Sequence, residues 1–212
     1  MILTFHVALT ADFYDEAGIP RYSDFGLDTF DGHDHIVVSR FSDHRNEITS
    51  NQLTGKHAVL VLTPKVTAAS LAGCEDLLVI SRFGVGYDSV DVKACTANNV
   101  LVTITSGAVD RSVAEATVGW MLALTHRMLQ KDHLVRTGRW DDRNQYMGCE
   151  LRNRTLGVIG LGGIGRKLVQ LLQGFGMNQP IAFDPFAAPE LFVKSGVKRV
   201  NFEEVLSTAD FV

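Results

Sequence analysis

The sequence predicts an α/β protein built on parallel sheets, with two lobes joined by a long helix. Three observations lead there. Short β-branched runs alternate with helical stretches from the start, most of those runs are continuously apolar, and a glycine-rich turn near residue 160 joins a strand to a helix. Alternation of this kind places helices against the faces of a parallel sheet. Strands covered on both faces read as unbroken apolar runs. With 212 residues and 46% hydrophobic composition, the chain can bury one good core or two modest ones.

In the first lobe the strand candidates are HVALT (6–10), HIVVSRF (35–41), AVLVL (58–62), LLVIS (77–81) and VLVTIT (100–105). The helical candidates between them include TAASLAGCEDL (67–77) and SVDVKACTANN (89–99). A connector helix then follows over 110–137, with Asp110 or Ser112 as N-cap and capping-box spacing between Ser112 and Glu115. Val113, Ala116, Thr117, Trp120, Leu124 and Met128 recur at helical steps, which predicts a stripe facing the core. Gly138 ends that helix, and a polar stretch over 141–154 leads to the glycine-rich turn. The expected domains are 1–105 and 106–212, the second entered through the connector.

Several function classes are disfavoured at this level. The net charge is −4 and no Lys/Arg run is present, so neither nucleic acid nor an anionic membrane is an expected partner. Three cysteines, odd in number and without a C-x-x-C pair, read as free thiols in a reducing compartment. MILTFHVALTADFYDEAG has no basic residues before its apolar run, so it reads as a strand and not a signal peptide. VGWMLAL (118–124) is too short to span a bilayer, and the expected location is cytoplasmic. His33-Asp34-His35 lacks a third ligand and reads as a loop, so no metal is expected. His126 and His133 share a face of the connector helix and read as surface or packing residues.

The chemistry is concentrated in LGVIGLGGIGRKL (156–168). Gly160, Gly162 and Gly165 fit G-x-G-x-x-G between a strand over 156–160 and a helix over 164–175. The first glycine permits the tight turn, the second lets backbone approach a pyrophosphate, and the third lets the helix pack on the strand. The helix N-terminus then offers free N–H groups to the phosphates. A second strand, IAFD, ends in Asp184, nineteen residues after the last glycine, where a ribose-binding carboxylate is expected. Two carboxylate oxygens can accept from the ribose 2′- and 3′-hydroxyls, and a 2′-phosphate would meet like charge. NAD is therefore the expected cofactor. Beyond Asp184 come a helix (189–196), a strand (197–200), a helix (201–209) and the opening of another strand (210–212). They count as strands 1 to 3 and the start of strand 4 of a Rossmann sheet.

In the first lobe, the loop SRFGVGYDSVD (81–91) follows a strand, where open α/β sheets bind ligands. Gly84, Val85 and Gly86 could form an anion-binding nest beside Arg82, with Asp88 or Ser89 as a helix cap.

RFGVGYDSVDVKAC, SGAVDRSVAEATVGWMLAL and LGVIGLGGIGRKL…AFDPF, in that order, resemble the D-isomer-specific 2-hydroxyacid dehydrogenases. That group includes phosphoglycerate dehydrogenase and the glyoxylate/hydroxypyruvate reductases. The resemblance implies a flavodoxin-like substrate lobe followed by a Rossmann domain present in its first half. It implies an NAD-dependent oxidoreductase acting on a small 2-keto or D-2-hydroxy acid, a homodimer at full length. Arg82, Gly84, Val85 and Gly86 would then hold the substrate carboxylate, with Val85 also near the nicotinamide. Gly163 and Ile164 would touch the pyrophosphate, and Asp184 the ribose. The family's Asn-x-Pro-Gly turn reads ITSG (104–107) here, and Ser106 in place of proline loosens it. The family's Arg, Glu and His stretches (N-x-x-R-G, D-V-x-x-x-E-P and P-H) do not occur, so the expectation is a partial form, inactive alone. The alternatives are a non-catalytic NAD-binding regulatory protein of the same fold, or a degenerate gene product.

Overall fold

The computed structural model describes residues 4–212, and the first three residues of the N-terminal apolar run lie outside it. The chain divides into two units, Met1–Ala108 and Val109–Val212. No helix among the described residues is long and apolar enough to cross a membrane.

The first unit carries five parallel strands: β1 (Phe5–Leu9), β2 (Ile36–Arg40), β3 (Ala58–Val61), β4 (Val79–Arg82) and β5 (Leu101–Ile104). Their order is β2-β1-β3-β4-β5, the doubly wound order of flavodoxin-like sheets. Ala8, Val59, Val61 and Ile80 are fully buried at its centre. Continuous apolarity is not a sign of double coverage at the edges, where Val37 and Val38 of β2 and Leu101 of β5 are exposed.

The crossover helices are shorter than periodicity predicts. These are α1 (Ser50–Leu53), α2 (Ala68–Leu71) and α3 (Val92–Ala97). Thr67 caps α2 by accepting from the Ser70 N–H at 3.3 Å, and Gly73 at φ +73° closes the segment soon after. The cap of α3 is Asp91, which accepts from Ala94 N–H at 2.9 Å, and not Asp88 or Ser89. Opposite, the segment after β1 folds over the strand ends as an aromatic cluster, with the Phe13 ring 5.2 Å from Phe83.

The second unit opens with α4 (Asp110–Thr125) and α5 (Met128–Arg136), which replace the single connector helix. Arg127 takes a left-handed conformation at the break (φ +53°). Thr125 Oγ1 donates back to Met121 O at 2.8 Å, while Cys149 N–H donates to the Thr125 carbonyl freed there at 2.9 Å. Gly148 fits this contact because a Cβ on it would lie 2.6 Å from that carbonyl oxygen. The break thus comes from a distant segment docking on the helix, and it parts His126 from His133.

Two further expectations fail in α4. Its N-cap is Val109, and Glu115 is held by Arg111 at 2.6 Å instead of closing a capping box with Ser112. The stripe of Val113, Trp120 and Leu124 points outward, with Trp120 and Leu124 each 67% exposed. Ala114 and Met121 supply the buried face, which packs against α6 (Gly163–Leu172).

Strands β6 (Gly157–Ile159), β7 (Ile181–Phe183) and β8 (Lys198–Arg199) form a parallel sheet, alternating with α6, α7 (Pro189–Ser195) and α8 (Phe202–Thr208). A parallel bridge from Leu156 to Phe211 adds the expected fourth position beside β6. Gly165 sets the depth of α6 on this sheet. A Cβ there would lie 2.5 Å from Gly160 O and 2.9 Å from a Val158 methyl. Gly165→Ala is therefore expected to cost about 1–3 kcal/mol, the usual range for overpacking. A urea midpoint equal to that of the unsubstituted protein would contradict this packing.

Candidate cofactor and carboxylate sites

The glycine-rich turn occupies residues 160–165. Gly160 sits at φ +92°, a conformation that favours glycine, and its N–H donates to Phe183 O at 2.9 Å. Leu161 N–H donates to Asp184 Oδ2 at 2.7 Å, and its side chain is fully buried. Gly162 is the N-cap of α6 and would meet nothing within 4 Å if it carried a Cβ. Among the described residues, no protein acceptor is bonded to the N–H groups of Gly162, Gly163 or Ile164. A helix start of this kind carries bare donors and partial positive charge, which suits a phosphate.

Asp184 stands beside that turn and is more engaged than its sequence position reveals. Its Oδ1 accepts from Phe186 N–H at 2.9 Å and Ala187 N–H at 3.0 Å, and its Oδ2 accepts from Leu161. The Phe186 amide is the largest influence holding the carboxyl below its usual range. Burial opposes it, while the Leu161 and Ala187 amides and the Arg199 charge add to it. A carboxylate has about four acceptor positions, so one on Oδ2 remains for a ribose hydroxyl. With Oδ1 taken by two amides, the open position lies on Oδ2.

In the first unit, β4 delivers Arg82 to the sheet's carboxyl end. Its guanidinium turns back onto its own loop, where Nη1 donates to Phe83 O, and its buried Nε finds no acceptor. Gly84 at φ +150° passes under that guanidinium, and a Cβ there would lie 2.9 Å from Nη1. Gly84 N–H is committed to Arg82 O at 2.9 Å. The N–H groups of Val85 and Gly86 have no protein acceptor among the described residues, so the nest offers two donors and not three. Asp110, read from sequence only as a candidate helix cap, lies against Gly163.

Among the described residues no cluster of three His, Cys, Asp or Glu side chains is placed to hold a metal. All three cysteines are free thiols.

This turn, sheet order and acid define the second unit as a dinucleotide-binding α/β domain. The profile of the family described as "D-isomer specific 2-hydroxyacid dehydrogenase, NAD binding domain" matches residues 118–212. D-3-phosphoglycerate dehydrogenase from Rattus norvegicus is 38% identical over 176 residues, covering 83% of this chain and 33% of that protein. Glyoxylate reductase from Thermococcus litoralis is 31% identical over 160 residues, covering 73% of this chain and 48% of that one. The chain thus spans between a third and a half of these relatives' length. The solved D-lactate dehydrogenase from Aquifex aeolicus, complexed with NAD and lactic acid, shares the fold, with a TM-score of 0.77 at 23% identity over 96% of this chain and 58% of that one. Residues 118–212 thus match the NAD-binding domain of the D-isomer-specific 2-hydroxyacid dehydrogenase family, and the cofactor of that domain is NAD. The residues present fit that cofactor: open space over Gly162 and the unpartnered amides of α6 suit a pyrophosphate.

Asp184→Ala is expected to strip three N–H groups of their acceptor and lower stability by about 1 kcal/mol, small because the site is wet. The folded carboxyl is depressed, so its contribution is complete above the ordinary value of about 3.9 and fades as pH falls through the folded value. Urea midpoints of both proteins measured from pH 7 down to pH 3 should therefore converge on acidification. A constant difference across that range would remove the carboxylate from this role.

Proposed function

We propose that this chain supplies the adenosine–pyrophosphate half-site and the carboxylate-binding loop of an NAD-dependent oxidoreductase interconverting a 2-keto acid and a D-2-hydroxy acid. The observation that carries the reading is the bare first turn of α6 beside an acid already ionised and anchored by backbone. Relatives named D-3-phosphoglycerate dehydrogenase and glyoxylate reductase support it.

In this reading the N–H groups of Gly162, Gly163 and Ile164 bind the pyrophosphate, and the free acceptor on Asp184 Oδ2 takes one ribose hydroxyl. Phe186, 96% exposed and tied to Asp184 through its own N–H, offers an apolar face beside that ribose. The Val85 and Gly86 amides, backed by the Arg82 charge, orient the substrate carboxylate. NAD, when bound, supplies or accepts the hydride. Proton transfer is assigned to none of the residues present, and the loop amides recognise a carboxylate common to every 2-keto acid.

Because Gly162 has open space around it, Gly162→Val is expected to leave the far-UV spectrum and urea midpoint intact. NADH fluorescence enhancement should fall at least tenfold in affinity, since the side chain fills the phosphate's place. Enhancement equal to that of the unsubstituted protein would overturn the half-site.

We also infer that the protein is a homodimer through α4 and α5. Helix α4 is apolar on two sides, which for a helix means burial on both. The outer stripe of Trp120 and Leu124 continues into Leu129, 76% exposed, and Met147, 73% exposed, a surface too apolar for a solvated face. A second copy meets it symmetrically, as two-fold interfaces require. Sedimentation velocity at tens of micromolar should give a dimer, and Trp120→Glu with Leu124→Glu a monomer that still binds NADH. A monomeric unsubstituted protein would rule this interface out.

A further inference from the structure

Asp110 begins α4, and its carboxylate lies against Gly163, the first residue of α6. A Cβ on Gly163 would fall 2.5 Å from the Asp110 carboxyl carbon and 2.7 Å from Oδ1, overlapping the group outright. Any side chain at position 163 would therefore have to displace the Asp110 carboxylate. Asp110 is half-buried, and no ion pair to it is present among the described residues. Its neighbour Arg111 is turned to Glu115 at 2.6 Å instead.

The consequence is electrostatic. A carboxylate beside the first turn of a helix is attracted to the same partial positive charge that draws a phosphate. Gly163 is one of the residues whose N–H is free for that phosphate. A fixed negative charge and an incoming pyrophosphate thus address one helix start. At contact distances within a partly buried site, two like charges repel strongly enough to change affinity by at least an order of magnitude.

We propose that Asp110 is an affinity-setting residue of the nucleotide site. Its carboxylate acts as an internal anion at the mouth of the phosphate cradle. It adds a negative charge beside the unpartnered helix start and weakens pyrophosphate binding when a nucleotide arrives. The inference rests on the nucleotide reading above and adds to it a built-in bias toward release.

The test is NADH titration of the 212-residue chain and of Asp110→Asn, which keeps the shape and removes the charge. The asparagine variant should bind about tenfold more tightly at low ionic strength. The ratio should shrink toward one in 1 M salt, where the Debye length is about 3 Å. Equal or weaker binding by Asp110→Asn at low salt overturns the inference while leaving the nucleotide site standing. Binding by neither protein overturns the nucleotide reading and this inference with it. A double-mutant cycle checks the geometry independently. Gly163→Ala should lower the melting temperature in the parent, and that loss should disappear in an Asp110→Ala background. An equal effect of Gly163→Ala in both backgrounds would place the carboxylate elsewhere.

Discussion

A helix can hold out bare N–H groups to a ligand only if something other than the ligand fixes its first turn. In the second unit that task falls to a few contacts around Gly160. Gly165 rides directly on the Gly160 carbonyl and the Val158 methyl, so α6 cannot move closer to the sheet. Leu161 buries its side chain beneath the turn and gives its N–H to Asp184. Asp184 in turn gathers the Phe186 and Ala187 amides, latching the end of β7 to the turn after β6. The residue best placed for a ribose is thus also the residue that stabilises the phosphate turn. Fold and site cannot be separated at that position.

Two carboxylates flank the helix start, with opposite consequences. Asp184 is ionised by the amides around it and presents its charge sideways, to hydroxyl donors. Asp110 presents its charge to the helix start itself, where the ligand is an anion.

The parts of this architecture legible in the sequence are those whose causes are local. Gly160 needs its positive φ, Gly165 needs its missing Cβ, and strand centres need apolar residues, so the turn and sheet could be read directly. The break at Arg127 could not. Neither His126 nor Arg127 breaks helices, and the cause is the Gly148–Cys149 backbone docking on Thr125 from over twenty residues away. The outward stripe of α4 was invisible for a related reason: periodicity shows that Trp120 and Leu124 share a face but not what covers it. The α3 cap was misplaced because several acids and serines crowd 88–91, and only the folded loop selects Asp91. Asp110 was read only as a cap because the residue it lies against is a glycine 53 residues away with no side chain to signal a contact.

The two places with unpartnered amides reach a positive potential by different means. In the second unit the positive potential is that of a helix start, spread over several amides and needing no cationic side chain. In the first unit the loop amides of Val85 and Gly86 are few and belong to no helix, and the potential comes from Arg82. That guanidinium is folded onto the loop with its Nε buried and unpaired, an arrangement that leaves its charge uncompensated next to Gly84. An unpaired buried donor is costly. Backbone dipoles hold a pyrophosphate through shape and a fixed count of donors, which suits one invariant ligand. A full side-chain charge over a short loop acts over a longer range and imposes no fixed count of donors.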